Sequence, residues 1–466
     1  MAWSAANGWS LPHSIFSTGQ LALLAANPAF VLGQNGPRRF PIPTPIPLEV
    51  ASLGSAHAYY VAISELVRDF GSVDGLAETI NASAARIPLA SRMRPAAKTV
   101  YPASDVVSYT VSGTDSAYTG QRHFHFSDSG IQKRWRYSGV WFDYANNPVN
   151  QISGATEPGD FNNSTSYEVE FYATGTDVTL WMRSAAQSDF KVLVDDMPLT
   201  TGWDLTSAGV FDHNYARIQF TTDRVRKIRL LASGFLSFTG VLVPAGGAIW
   251  AAPPRFRVAI TGDSYVQGGH WLGPIGHLMG GALCNQLAIQ TGWEVLNLGQ
   301  GGTGYVNDSA GEIGKSAYGS AARLAALAAL PPIDLFIAFG SGNDSGYSTG
   351  SVITAANAFW NAVHTARPDT PIVVVGVESG SPTGFDPSLM SALNTALIAA
   401  AQANPNVAGA IDMRTDPWWT GAGNEGSPEG DGNADFFMSA DEVHPSRAGY
   451  ENLALRLADK LAAIRV

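Results

Sequence analysis

From about residue 251 onward the chain alternates short apolar runs with longer stretches of helical spacing. FRVAIT, EVLNL, IDLFIAF, PIVVVGV and GAIDM carry no polar alternation, as expected for strands of a parallel sheet covered on both faces. Between them, AARLAALAAL, SVITAANAFWNAVHTAR and SLMSALNTALIAAAQAN repeat apolar residues every three or four positions, and SRAGYENLALRLADKLAAI ends the sequence in the same way. The pattern predicts a three-layer α/β fold over 251–466, with ligands at the carboxyl ends of its strands. From about 99 to 250 the period is two. YEVEFYATGTDVTLWM reads as two strands joined by a tight Thr-Gly-Thr turn, and FKVLVDDMPLT, ARIQFTTD, RKIRLLAS and FTGVLVP follow at short spacing. Short alternating strands with polar turns predict an antiparallel sandwich or jelly roll. Residues 1–98 differ again. PRRFPIPTPIPLEV is extended, because each proline fixes its own φ and biases the residue before it. ASLGSAHAYYVAISELVRDF then has helical spacing and stops at Gly71. This partly helical segment reads either as an attachment or homo-oligomerisation region or as a plain packing arm.

Composition narrows the function classes. The 466 residues exceed what one hydrophobic core holds, and 45% hydrophobic against 14% charged describes a folded chain. The 12 Trp, 15 Tyr and 21 Phe suit either sandwich core or stacking on sugar rings. A formal net charge of -11 repels phosphate backbones, which argues against nucleic acid and anionic membranes. No run approaches the roughly 20 apolar residues that span a bilayer. MAWSAANGWSLPHS lacks a basic region followed by an apolar core, so no signal peptide is expected. The lone Cys284, in LMGGALCNQLAIQ, excludes an internal disulfide framework and reads as a buried structural thiol. His123 and His125 share one strand face, but without a third ligand nearby they predict a surface pair and no metal.

The residue types that carry chemistry each follow a strand of the last segment. FRVAIT runs into GDSY, so Ser264 leaves a strand and opens a helix, where free backbone N–H groups and the positive helix end favour an oxyanion. EVLNL runs into GQGGTG, whose glycines let the backbone approach a ligand. IDLFIAF runs into GSGND, which offers the Asn343 amide as a donor. ADEVHPSRAGY sets Asp441 three residues before His444, so one loop can supply a base and its orienting carboxylate. GYSTG at 346–350 also fits a Gly-x-Ser-x-Gly elbow, but it lies several residues beyond its strand, so Ser348 is not expected to be a nucleophile. Between the last strand and His444 lies DPWWTGAGNEGSPEGDGNADFFMSA. Such a loop is expected to border the substrate cleft, with Trp418 and Trp419 available for stacking, unless both cover a domain interface.

In this order and at these strand ends, the motifs resemble the four blocks of the SGNH (GDSL-type) hydrolases over roughly the last 215 residues. The resemblance implies a flavodoxin-like catalytic domain with Ser264 as nucleophile and Asp441 and His444 completing the triad. It also implies an oxyanion hole from Ser264, Gly302 and Asn343, with Gly301 as the alternative to Gly302. The third block departs from Gly-x-Asn-Asp: Gly342 directly precedes Asn343, and Gly340 lies one residue too far away. No metal or cofactor is implied. A sandwich at 99–250 ahead of such a domain is similar to the layout of some two-domain carbohydrate esterases, so the expected substrate is an O-acetylated polysaccharide. The alternatives are a lipase-like or lysophospholipase-like esterase, and a phage or cell-surface attachment protein carrying an esterase module.

Overall fold

The computed structural model describes residues 2–4, 8–11, 38–39, 88–113, 121–125, 136–138, 142–143, 152–153, 166–184, 187–206, 212–233, 236–268, 281–310, 315–340, 342–377 and 387–466. The chain divides into two compact units, 1–92 with 465–466, and 93–464. In the first, Ala2–Ser4, Gly8–Leu11 and Arg38–Arg39 pair antiparallel in that order. The remainder of the proline-rich stretch and the helix expected before Gly71 lie outside the described residues, and so does any attachment role.

The second unit begins with two packed antiparallel sheets. One is built on β1 (Val106–Ser112), β6 (Asp212–Phe220), β4 (Asp177–Ser184) and β8 (Leu236–Pro244), in that order. β2 (Gln121–His125) also pairs with β8, placing His123 opposite Leu242 and His125 opposite Gly240. The other sheet orders β5 (Asp189–Val194), β7 (Arg226–Ser233), β3 (Ser166–Ala173) and β9 (Ile249–Ala251). Val178, Leu180 and Met182 of β4 meet Tyr167, Val169 and Phe171 of β3 in one core. The period-two pattern thus does what it predicts on the inner faces. After β5, Asp195 and Asp196 adopt φ of 51° and 62°. Both are left-handed, as a two-residue hairpin turn back to Met197–Pro198 demands.

The Thr-Gly-Thr turn behaves differently from its sequence appearance. β3 and β4 form where expected but do not pair; they belong to opposite sheets. Gly175, with φ of 108°, carries the chain across, and a Cβ there would lie 2.9 Å from the Pro244 ring. The second sheet is also buried on its outer face, where Ser166, Glu168 and Glu170 are at most 2% exposed. That face packs on the α/β part. Asn285 Nδ2 donates to the Ala232 carbonyl at 3.0 Å, and Arg447 pairs with Asp189 at 2.7 Å.

The α/β part is a five-stranded parallel sheet. Its strands are β10 (Arg257–Thr261), β11 (Glu294–Asn297), β12 (Leu335–Phe339), β13 (Ile372–Val375) and β14 (Val407–Ile411), in the order β11-β10-β12-β13-β14. Between and after them come the one-turn α1 (Ser264–Gln267), then α2 (Leu283–Thr291), α3 (Ala321–Ala329), α4 (Thr349–Ala366) and α5 (Pro387–Ala403). The short α6 (Ala434–Phe437) and the terminal α7 (Arg447–Ala462) follow. α2 contains the apolar stretch around Cys284, whose thiol is buried. The strand order reverses between β10 and β12, which makes their carboxyl ends the crevice where open α/β sheets bind ligands. No helix of the described residues is long and apolar enough to cross a membrane.

Candidate active site

The β10 end is a glycine-forced elbow. A Cβ at Gly262 would lie 2.3 Å from Val266 Cγ2, so only glycine lets α1 fold back this sharply. Asp263 caps that turn: its Oδ1 accepts the Tyr265 N–H at 3.0 Å. Ser264 is the first helical residue, and Gly268, with φ of 99°, ends the helix after one turn. The first N–H groups of a helix have no intrahelical acceptor. Among the described residues the Ser264 N–H has no acceptor elsewhere either.

The glycine loop after β11 lies against α1. Gly301 donates its N–H to Gln267 Oε1 at 2.5 Å. Gly302 has φ of 76°, and among the described residues its N–H meets no acceptor. Of the two glycines, Gly302 therefore has the N–H that can turn to a ligand. The next residues are fixed from behind: buried Asp344 accepts the N–H groups of Tyr305, Val306 and Asn307 at 2.7, 3.1 and 2.9 Å. Burial pushes the Asp344 carboxyl up, and these three hydrogen bonds only partly offset it. Arg323 holds the same loop from below through Thr303 Oγ1 at 3.0 Å and the Leu298 carbonyl at 2.9 Å. Its guanidinium is buried, which lowers its pKa to about 10.

Asn343 lies in the turn after β12. Its Nδ2 donates to the Thr303 carbonyl at 3.1 Å and to Asp263 Oδ2 at 3.3 Å. The side chain is thereby held between the glycine loop and the cap of α1, with the longer bond the one an incoming oxyanion can share. The atypical spacing of this block leaves Asn343 at the same crevice.

The fourth corner is the loop before α7. His444 Nδ1 and Asp441 Oδ2 lie 2.6 Å apart. Asp441 Oδ1 accepts the Ser439 hydroxyl at 2.6 Å and the N–H groups of Val443 and His444 at 2.9 and 2.8 Å. Burial raises the Asp441 carboxyl, but the hydrogen bonds from His444 and Ser439 outweigh it and hold it well below the usual carboxylate range. Glu442 between them takes φ of 61°, a strained value for a non-glycine residue, which keeps this turn tight. The loop touches the elbow directly. Tyr265 Oη donates to the Val443 carbonyl at 2.7 Å, and Tyr450 Oη to the Ser264 carbonyl at 3.5 Å. Among the described residues no hydrogen bond of 3.5 Å or less joins Ser264 Oγ to His444. Such bonds are often long in ligand-free sites and tighten with substrate.

Trp418 and Trp419 must be corrected. They are 0% and 7% exposed, and Trp419 packs edge-on against Phe437 at 6.2 Å. Buried rings offer no face to a sugar, so these side chains serve as core beneath the loop. Ser348 caps α4 by accepting the Ser351 N–H at 3.2 Å. Sequence reasoning overlooked Gln267, Asn297, Asp263 and Asp344. The one signal was position, since each lies within three residues of a residue already singled out or ends a strand at the crevice.

Residues 260–451 match the model of the GDSL-like Lipase/Acylhydrolase family. No curated protein matches the sequence. Among solved structures, the salicylyl-acyltransferase SsfX3 from a tetracycline biosynthetic pathway is 14% identical, with a TM-score of 0.54 over 74% of this chain and 97% of its own. A family two carbohydrate esterase from Clostridium thermocellum, in complex with cellohexaose, is 16% identical, with a TM-score of 0.49 over 70% and 98%. An acetyl xylan esterase, Est2A, from Butyrivibrio proteoclasticus is 12% identical, with a TM-score of 0.46 over 73% and 97%. The coverage by the acyltransferase is more than the α/β part can supply alone, so that likeness of fold takes in the antiparallel sheets. The segment from 260 to 451 belongs to the GDSL-like lipase/acylhydrolase family, the SGNH hydrolases.

Proposed function

We propose that the chain is a serine esterase that cleaves carboxylic esters through an acyl-enzyme on Ser264. The observation that carries this reading is the Asp441–His444 pair, held at 2.6 Å on a loop bonded to the elbow that bears Ser264. Asp441 on Nδ1 fixes the imidazole tautomer, so Nε2 can take the Ser264 proton as Oγ attacks the ester carbonyl. The carbonyl oxygen becomes an oxyanion that the N–H groups of Ser264 and Gly302 and the Asn343 amide receive. Losing one such donor costs about 2.7–4 kcal/mol in the barrier. His444 returns the proton to the leaving alcohol. Water then attacks the acyl carbon, its proton passing to His444 and on to Ser264 Oγ as the carboxylic acid leaves.

The substrate we assign is an O-acetylated polysaccharide. The loop from Thr420 to Asn433 leads to His444 and is glycine-rich, polar and largely exposed, which suits a hydrated glycan better than a long acyl chain. Hydrolysis of 4-nitrophenyl acetate, butyrate and octanoate by the wild type and by Ser264→Ala tests both levels. Preference for acetate with an inactive variant supports the reading. Preference for octanoate replaces the glycan with a lipid-like ester. Full activity in Ser264→Ala removes Ser264 as the nucleophile.

A further inference from the structure

The side-chain amide of Asn297, the last residue of β11, offers two N–H donors and one carbonyl, and each engages a different element. One donor reaches Ser166 Oγ at 2.9 Å, at the start of β3 in the sandwich. The other reaches the Val266 carbonyl at 2.9 Å, inside the turn that Ser264 opens. The carbonyl accepts the Gly299 N–H at 2.9 Å, at the entrance of the glycine loop. Asn297 is fully buried and Ser166 is 1% exposed, so water cannot substitute for any of the three. Cys284 completes the cluster. Its thiol donates to the same Val266 carbonyl at 3.7 Å, and Ser166 is bonded to it in turn.

Little slack separates the two catalytic segments. A Cβ at Gly299 would lie 2.3 Å from the Gln267 nitrogen, and one at Gly301 would lie 3.4 Å from Ser264 Cβ. Backbones this close transmit displacement: a shift at Asn297 moves Val266 and Gly299 together, or parts them. Catalysis depends steeply on such placement, since a misplacement of about 1 Å can cost on the order of a hundredfold in rate.

We propose that Asn297 and Ser166 are a positioning pair through which the sandwich holds the nucleophile turn against the oxyanion loop. The sandwich is then a working part of the esterase, whatever it does with substrate. This rests on the assignment of Ser264, Gly302 and His444 made above. Neither member of the pair touches substrate, so the loss falls on kcat and leaves KM alone.

The test uses the full chain, with kcat and KM for 4-nitrophenyl acetate, thermal midpoints, and the labelling rate of Ser264 by a fluorophosphonate. Asn297→Ala is expected to lower kcat at least about tenfold with little change in KM. Ser166→Ala is expected to lower kcat and the labelling rate about two- to fivefold, and to add nothing in the Asn297→Ala background, because coupled residues are not additive. Ser166→Ala can be read alone if Asn297→Ala does not fold. A wild-type kcat in Ser166→Ala, or losses that simply multiply in the double variant, overturns the pair. Ser264→Ala separates the two levels. If it is inactive while Ser166→Ala is normal, only the pair falls; if it is fully active, the site reading falls first.

Discussion

β12 and β3 are both wholly buried strands, yet they are buried by different physics. Every residue of β12, Leu-Phe-Ile-Ala-Phe, is apolar and covered on both faces by apolar side chains and helices. β3, Ser-Tyr-Glu-Val-Glu-Phe-Tyr-Ala, is equally inaccessible, but only its inner face is apolar. Its outer face sets Glu168 against Arg229 at 2.9 Å and against Arg255, and Glu170 against Arg255 at 3.2 Å. Lys227 and Arg229 also meet Asp196, at 2.6 and 3.2 Å. Arg255 comes from the segment leading into β10, so this charged seam joins the sandwich to the α/β part. Charges taken out of water lose their hydration, and mutual attraction repays this only when the partners are complete. The difference teaches that a strand can exchange water for counter-charges without changing its sequence pattern. Such a seam adds little net stability, but any mismatch in it is costly.

The largest effect follows from removing one partner. Glu168→Ala removes the carboxylate that Arg229 and Arg255 share, leaving buried positive charge in excess of what Glu170 and Asp196 offset, and is expected to destabilise the fold by about 3 kcal/mol. Urea unfolding followed by tryptophan fluorescence measures it. A loss under about 1 kcal/mol, the range of an exposed ion pair, would show that the seam is hydrated. Removing charge of both signs sharpens the contrast. Glu168→Leu with Arg255→Met should recover at least about 1 kcal/mol relative to the sum of the single losses, since contacting residues couple on that scale. Strict additivity in the same unfolding experiment would contradict the coupling.

The seam should also respond to acid in a way β12 cannot. Burial tends to raise the Asp196 carboxyl, but Lys227 and Arg229 outweigh it and hold it far below its ordinary range. A depressed folded pKa stabilises above the unfolded value, near 3.9, and that gain is lost as pH falls through the folded value. The stability difference between the wild type and Asp196→Asn is therefore expected to be full at pH 6 and to shrink steadily below about pH 4. A difference that stays constant or grows in acid would show that Asp196 is not held as an ion.

These contrasts explain what could be read from residues alone. The five parallel strands were legible because uniformly apolar runs such as LFIAF have one physical meaning, a sheet covered on both sides. Ser264 and Asn343 could be proposed because each follows such a strand, and Asp441 and His444 because their spacing lets one loop carry both. The polar face of β3 was not legible, since alternation reads the same whether water or Arg255 lies opposite. The turn after β3 looked like a hairpin because local sequence specifies a reversal and says nothing about which sheet receives the next strand. Trp418 and Trp419 failed for a related reason: a glycine-rich loop looks exposed throughout, whereas two large rings inside it bury themselves beneath it. Proposing Gly302 ahead of Gly301 as the oxyanion donor rests on a contact no spacing reveals, the Gln267 side chain on the Gly301 N–H.

The smallest effect belongs to the apolar strand and sets the baseline for the others. Ile337 lies at the centre of β12 with no exposed surface. Ile337→Val removes one methylene from a close-packed site and is expected to cost about 0.5–1.5 kcal/mol. Nothing in that loss involves a charge, so it should be the same at pH 3 and pH 6 and at low and high salt, whereas the Asp196→Asn difference shrinks in acid. Urea unfolding of Ile337→Val across that grid is the control. A pH- or salt-dependent loss there would mean that acid weakens the fold generally, and the acid response assigned to Asp196 would no longer distinguish the seam from the core.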